Sequence, residues 1–547
     1  MQAKVSSLRD FLEDYSRLNL GEVFIVEEET NLDYEPSAYY KILEQKNPII
    51  WFKKIRGYPD FEFVTNVIGS EKRAAYAFGV NEVILYETIE KILSELRPTG
   101  GNLPLTDSAP IKEVILTGAD VDLSKLPIPR HYPSDGAKTG HGRYVSSALA
   151  VARNPANPET INLSYTRAQI ISPNRYAFDM GSRGHFSRYV ELAKSRNERL
   201  PVSIIIGAHP IFYLLAASFT ENEFSKAMRF QNFTFTSGVK NDIPIPADAE
   251  IVLEAEVIPD EEYPEGPFSE FTGYVSKRTT GNVAEVKSIL RRSRPIYYDI
   301  QGANSNEHVS LFSIPRSAAV IGAVKKFMPP GCGYRVVWPN SGARFLALCS
   351  IDRAERGLAK QVGLALIGLD ALFSKIAIVI EGESEISFEK FLVDLAVGVG
   401  GETEVSVIPE VFCIRLEPSS DSSGVTGKMI VSGKSFSGRY EKIRKSSGRV
   451  ELVAEGGRAK VVLSHEEASE GDLNIILGSD VDLSKENEVA WAFATRIRPD
   501  KDFEFLNEEE GGRRKKKLVF RATHSTAEIP KLPADLIERV AAKINSR

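Results

Sequence analysis

The sequence predicts a mixed α+β and α/β chain of several domains, with a strand-rich middle third. Three observations carry this. The chain has 547 residues, more than one hydrophobic core can serve. Its middle third reads as short β-rich runs punctuated by Gly and Pro, with few helices. Its last third alternates apolar strands with helical segments, the pattern of an α/β layer.

Leu8, Phe11, Leu12 and Tyr15 fall at i, i+3, i+4 and i+7, so an amphipathic helix opens the chain. β-rich runs follow at 24–26, 49–52 and 61–67, and a helix is expected near 88–97. Pro98-Thr99-Gly100-Gly101-Asn102 punctuates like a linker. A small N-terminal α/β domain is therefore expected over residues 1–110. Strands are expected at 114–116, 161–165, 202–206, 251–257, 283–289 and 295–300, which favours a barrel- or sandwich-like domain over 111–314. A helix over 317–328, ended by Pro329-Pro330, would be the connector (315–330) to a C-terminal α/β domain over 331–547. In that domain strands at 345–351 and 376–380 alternate with helices at 356–373 and 384–397. The segments 376–399 and 473–497 each contain an apolar strand, an acidic turn and an amphipathic helix. Chance produces the same likeness wherever strands and helices alternate. An insert of about 419–470 holds the block 428–449, where seven Lys/Arg meet one acid, Glu441.

Composition narrows the function. At 42% apolar and 26% charged the chain is an ordinary globular protein. Its net charge of −6 argues against a general binder of nucleic acid or membrane surfaces. Cys332, Cys349 and Cys413 lack Cys-x-x-Cys spacing and sit in apolar runs. Buried reduced thiols and a cytoplasmic location are expected. Asp10, Glu13 and Asp14 fall where a signal peptide would need an apolar run. No apolar stretch reaches the ~18 residues that span a bilayer.

The chemistry concentrates between Asn162 and Glu270. Asn162, His185 and Glu221 offer an amide, an imidazole and a carboxylate, a borderline-hard set suited to Mn²⁺, Fe²⁺ or Mg²⁺ rather than zinc. Glu265 and Glu270 are separated by Gly266-Pro267, so the segment turns. Two carboxylates beside one arginine can be driven to different pKa values, leaving one as a proton donor. Taken singly, a surface histidine and a solvated acidic loop explain these residues as well. Gly424-Val425-Thr426-Gly427-Lys428 is no ATP loop, because Ser422 and Met429 occupy the positions that need Gly and Ser/Thr.

Taken together, these residues resemble the UbiD family of prenylated-FMN-dependent decarboxylases. Asn162-x-x-x-x-Arg167, then His185 and Glu221, resembles the family's metal and flavin-phosphate site. Glu265-Gly266-Pro267-Phe268-Ser269-Glu270, followed by Gly273-Tyr274, resembles its signature, with Ser269 where the family usually has glycine. Similar too are Val121-Asp122-Leu123-x-x-Leu126-Pro127-Ile128-Pro129, Gly207-Ala208-His209-Pro210 and Trp491-Ala492-Phe493-Ala494-Thr495-Arg496. The resemblance implies a central split-barrel flavin domain and a C-terminal oligomerisation domain, in a homodimer or homohexamer. It implies Arg167, Glu265 and Glu270 as the catalytic network. Arg167 would orient the substrate carboxylate, Glu270 supply the proton and Glu265 hold Arg167. It implies cofactor contacts from Asn162, Ser164, Tyr165, Thr166, Arg167, His185, Ser218 and Lys375. Asn162, His185 and Glu221, or Glu223 two residues on, would ligate a Mn²⁺-like ion (or Fe²⁺ or Mg²⁺), with K⁺ held by backbone carbonyls. A flavin prenyltransferase would supply the cofactor, which would form a covalent adduct with the carbon bearing the carboxylate. The reaction implied is reversible decarboxylation of an aromatic or α,β-unsaturated acid. The basic block 428–449 adds the expectation of a phosphorylated handle, so of an aromatic acyl-CoA of the phthaloyl-CoA kind. A flavin-binding subunit of a larger carboxylase, inactive alone, is the alternative.

Overall fold

The computed structural model describes residues 5–19, 21–94, 103–137, 139–180, 184–218, 220–353, 355–445, 448–467, 470–510, 513–523, 525 and 527–546. The linker expected at 98–102 lies outside the described residues. Two compact units emerge, Met1–Arg316 with Ile529–Arg547, and Ser317–Glu528. These units cut the chain differently from the division expected from sequence.

The first unit opens with α1 (Leu8–Leu18), where Ser7 and Asp10 form a reciprocal capping box and Leu8, Phe11, Leu12 and Tyr15 are buried. Then come β1 (Val23–Thr30), α2 (Glu35–Leu43), β2 (Ile49–Ile55), β3 (Glu62–Thr65), α3 (Glu71–Phe78) and α4 (Leu85–Leu93). The central part holds β4 (Val114–Thr117), β5 (Tyr144–Val145), β6 (Leu149–Asn154), β7 (Asn157–Tyr165), β8 (Ala168–Ser172) and β9 (Arg175–Phe178). It continues with α5 (His185–Ser195), β10 (Leu200–Ile206), α6 (Pro210–Ala216), α7 (Glu223–Ala227), β11 (Phe235–Ser237) and β12 (Pro244–Pro246). It ends with β13 (Ile251–Glu265), β14 (Thr279–Arg291) and β15 (Ile296–Asp299). The N-terminal sheet has the order β1-β2-β3-β15. Residues 1–110 thus do not complete their own sheet, because β15 is its last strand.

The central sheet has the order β5-β8-β9-β14-β13-β10-β6-β7, with β4 on β14. β7 lies at its far end, yet only two residues separate Tyr165 of β7 from Ala168 of β8 in the chain. Three peptide links reach at most about 11 Å. The sheet must therefore curl until its ends meet, as an open barrel with Thr166 and Arg167 at the seam. β13 and β14 form its long hairpin, in register to Glu265↔Thr279, and the loop at their end carries the signature. Val145, Ala150, Val202, Ile204, Leu253 and Val286 belong to the buried core of this unit, as do Leu536 and Val540 of the chain's last helix, Ala534–Asn545.

α8 (Asn306–Lys325) begins in the first unit and ends in the second. It starts eleven residues before the connector helix expected from sequence and accommodates Pro315. The second unit has β16 (Tyr334–Val337), β17 (Leu346–Ile351), α9 (Leu358–Leu369), β18 (Ile376–Glu381), α10 (Phe388–Gly398), β19 (Glu404–Phe412) and β20 (Val425–Lys434). These strands form one sheet, β16-β17-β18-β20-β19. A second sheet, β21-β22-β23-β24-β26-β25, is built from β21 (Tyr440–Arg444), β22 (Val450–Ala454), β23 (Lys460–Ser464), β24 (Leu473–Leu477), β25 (Phe503–Glu510) and β26 (Arg513–Ala522), with α11 (Glu486–Arg496).

The basic block is not a separate inserted loop. Lys428 lies within the buried strand β20, its Nζ donating to the carbonyls of Ala371 and Ser374 at 2.8 and 2.7 Å. Burial pushes that ammonium down to about 8. Lys434 pairs with Glu402, Lys442 with Glu389, Lys445 with Glu451 and Arg449 with Glu470. Four of the seven local cations are thus matched by acids outside the block. Among the described residues no helix is long and apolar enough to cross a membrane.

Candidate active site

Arg167 at the barrel seam is the centre of the site. Its Nε and Nη2 donate to Glu265 Oε1 and Oε2 at 2.7 and 2.8 Å, the bidentate fork that a guanidinium offers a carboxylate. Its Nη1 donates to Glu270 Oε1. Its guanidinium lies 5.3 Å from the Phe268 ring centre. Glu265 is fully buried and Glu270 nearly so. Burial is the main cause that raises the Glu270 pKa; Arg167 opposes it, and the Glu265 and Asp179 charges reinforce it. One cation faces several carboxylates here, which favours the protonated form of Glu270. The turn that presents it is local: Glu270 N–H donates to Tyr274 C=O, and Gly273 N–H to Glu270 C=O, both at 2.9 Å.

The other expected residues fall into separate neighbourhoods. Asn162 is buried on β7 and exchanges hydrogen bonds with Ser164 on the same face. Asn222 pairs with Ile161 through its backbone N–H and its side-chain oxygen, which lays residues 221–223 along β7. Glu223 is then committed to the Leu163 N–H at 2.9 Å, and burial pushes its carboxyl up to about 8. Glu221 accepts from Tyr189 Oη at 2.7 Å. Tyr189 lies one turn after His185 on α5, hence on the same helix face. The fold thus ties Glu221 to α5, the helix that His185 begins, and lays residues 221–223 along β7, the strand that carries Asn162. Among the described residues no group of three or more His, Cys, Asp or Glu is arranged to hold a metal; Asn162 would be the third donor. The donor set suits a hard cation, and His185 begins an eleven-residue helix whose first N–H groups suit a phosphate. These residues fit a flavin phosphate and its metal. Thr166 donates weakly to the Arg167 carbonyl, and Ser218 contacts Thr220 Oγ1 at 2.9 Å. Lys375, in the second unit, is fully buried, and its Nζ donates to Glu417 Oε1 and Ser419 Oγ at 2.7 and 2.9 Å. Glu417 already matches its charge.

Known proteins bear on this geometry. Three models described under 3-octaprenyl-4-hydroxybenzoate carboxy-lyase match in order: the N-terminal domain at residues 18–93, the Rift-related domain at 104–304 and the C-terminal domain at 309–433. The chain belongs to the UbiD family. It is thereby a carboxy-lyase by class. The UbiD-class enzyme HmfF from Pelotomaculum thermopropionicum, solved with FMN, is similar at 27% identity and a TM-score of 0.70, over 81% of this chain and 98% of that one. An evolved dimeric form of HmfF, solved with prFMN, gives 25% and 0.67 over 79% and 95%. The 3,4-dihydroxybenzoic acid decarboxylase of Enterobacter cloacae shares the fold, with a TM-score of 0.71 at 20% identity over 79% and 95%.

Three residues of the candidate site escaped the sequence. Asp179 Oδ2 lies 3.9 Å from Arg167 Nη2, a further carboxylate on the same cation. Asp135 binds the signature loop through Ser269. His308, near the start of α8, packs its ring 5.9 Å from that of Phe271, the residue after Glu270. Burial pushes His308 down to about 4, so it is neutral, and its buried Nδ1 has no hydrogen-bond partner. None sits in a recognisable motif, and only the folded barrel brings them to the site.

Proposed function

We propose that the protein removes carbon dioxide, without net oxidation, from an aromatic or α,β-unsaturated acid with prenylated FMN as cofactor. The observation that carries this is Arg167 held between Glu265 and Glu270 at the barrel seam. Membership of the family and the flavins solved in HmfF support it. Prenylated FMN, when bound, supplies the electron sink for the departing carboxylate. The chain supplies the rest. Arg167, fixed by Glu265, orients and polarises the substrate carboxylate. Glu270, kept protonated by burial, delivers its proton to the carbon that loses carbon dioxide, and solvent later restores it. Neutral His308 offers Nδ1 as an acceptor to a polar substituent or ring N–H of the substrate. Asn162, His185 and Glu221 would hold a Mn²⁺-like ion for the flavin phosphate, and K⁺ would sit on backbone carbonyls. The acid is read as free rather than thioester-bound, because most of the basic block is already paired.

The test is direct. Protein co-produced with a flavin prenyltransferase is expected to carry prenylated FMN by absorption and mass, and to decarboxylate members of a panel of aromatic acids. Glu270→Gln should keep the flavin and lose kcat on the order of 10²–10⁴-fold, the usual worth of general acid catalysis. Undiminished turnover in that variant would place the proton donor elsewhere.

A further inference from the structure

The turn at residues 132–136 grips the loop that carries Glu270. Asp135 is fully buried, and its carboxylate serves three donors. Oδ1 accepts from the Ser269 N–H at 2.8 Å and from Ser269 Oγ at 2.7 Å. Oδ2 accepts from the Tyr132 N–H at 3.1 Å, which holds the turn closed on its own side chain. The next residue, Gly136, donates its N–H to the Pro267 carbonyl at 2.8 Å. Gly136 has φ +60°, and a Cβ there would stand 2.2 Å from the His141 carbonyl oxygen, so the turn requires glycine. Tyr144 Oη adds a hydrogen bond to the same Pro267 carbonyl at 3.2 Å. The loop is thus clamped at Pro267 and at Ser269. Phe268 between them lies against Arg167, and Glu270 follows at once.

From this geometry we infer that Asp135 is a positioning residue for the reaction, holding Glu270 in register with Arg167 through Ser269. The inference rests on the decarboxylase function proposed above. It assigns a purpose to Ser269, whose hydroxyl a glycine at that position would lack. A carboxylate meets all three donors at once. An amide at 135 does not, because its NH₂ must face either the Ser269 donors or the Tyr132 N–H. Misplacement of a reacting group by about 1 Å costs on the order of 10² in rate. Burial pushes Asp135 up to about 6, opposed by His131 and the Ser269 hydrogen bonds. The titratable groups around it are His131 with its partner Asp299 at 2.9 Å, and the hydroxyls of Tyr132 and Tyr144. Protonation of Asp135 removes acceptor capacity, so the grip weakens as pH falls through about 6.

The experiment compares wild type, Asp135→Asn and Ser269→Ala. Hydrogen–deuterium exchange over residues 265–276 is measured on cofactor-free protein, and kcat and KM against pH on holoenzyme. Asp135→Asn should speed exchange across this loop and lower kcat about 10- to 100-fold, with flavin content unchanged and KM within about twofold. The acid limb of kcat near pH 6 should vanish, because asparagine does not titrate. Ser269→Ala, which keeps the N–H bond, should show the same changes at smaller size. Unchanged exchange and kcat in Asp135→Asn overturn the inference, as does an acid limb that survives the substitution. Loss of flavin or a rise in KM in step with kcat also overturns it, since a merely structural role gives that result. If Asp135→Asn does not fold, Ser269→Ala decides by the same criteria. A wild type that turns over no acid, with the exchange pattern as expected, fails the proposed function and leaves the clamp standing.

Discussion

At the scale of single residues the site is an electrostatic balance around Arg167. Glu265 and Glu270 were legible because the short Glu-Gly-Pro-Phe-Ser-Glu stretch fixes them as a pair. Asp179 was not, because an aspartate at the end of a strand is ordinary until the curled sheet sets it 3.9 Å from Arg167. Its charge is among the causes that raise the Glu270 pKa. Asp179→Asn should therefore lower the Glu270 pKa. In the proposed mechanism the protonated form is the donor, so the rate should fall as pH rises through that pKa, and the variant's alkaline limb should move to lower pH. A pH profile of kcat checks this; an unmoved limb would remove Asp179 from the balance. His185 belongs to the other neighbourhood, with Asn162 and Glu221. His185→Ala should give folded protein that binds neither flavin nor manganese, by absorbance and metal analysis. Full flavin occupancy in that variant would count against the metal role.

At the scale of elements, period and punctuation located most strands but not their partners. β15 was read correctly as a strand, yet nothing in its four residues says that it pairs with β3, over 230 positions earlier. The faint likeness of 376–399 and 473–497 proves to be a likeness of topology. In the first sheet β17 and β18 are parallel, β18 and β20 are parallel, and β19 returns antiparallel on β20. In the second, β23 and β24, β24 and β26, and β25 on β26 repeat the pattern. α10 follows β18 as α11 follows β24, whereas α9 has no helical counterpart among the described residues between β23 and β24. The sequence could suggest only the likeness, since sheet polarity is a property of pairing and not of composition. The basic block's partners were hidden for a related reason: its acids, Glu389, Glu402, Glu451 and Glu470, lie mostly on other elements. Only a few cations, such as exposed Arg439 and Arg444 on or beside β21, remain to greet an anion. Calorimetric titration with free coenzyme A at low ionic strength should therefore show no saturable binding. A titration that saturates, weakens with salt and disappears in Arg439→Ala/Arg444→Ala would restore the thioester reading.

At the scale of the whole molecule, burial in the first unit displaces the pKa values of titratable groups of both kinds toward their neutral forms. Burial pushes His209 down to about 3 and His308 to about 4. It pushes Glu307 up to about 7 and Asp135 to about 6. The two kinds act on stability with opposite signs. A buried neutral histidine costs stability as pH falls below about 6.5, where only the unfolded chain takes the proton. A buried protonated carboxyl costs stability as pH rises above about 4.5, where only the unfolded chain releases it, until its folded pKa is passed. The two costs overlap between about pH 4.5 and 6.5; below that window the histidines dominate the loss, and above it the carboxyls do. Glu307 carries much of the alkaline side. Its Oε1 accepts from the Ile68 N–H at 2.7 Å and from Tyr298 Oη at 2.5 Å, and its Oε2 has no partner. A glutamine can keep both bonds to its oxygen and cannot ionise. Glu307→Gln should therefore remove about 3 kcal/mol of the loss between pH 4.5 and 8, an order-of-magnitude figure from its shift. Denaturant melts of the cofactor-free protein at pH 5 and pH 8 measure this. A variant that loses as much stability as wild type over that interval would show that Glu307 is ionised in the folded protein throughout.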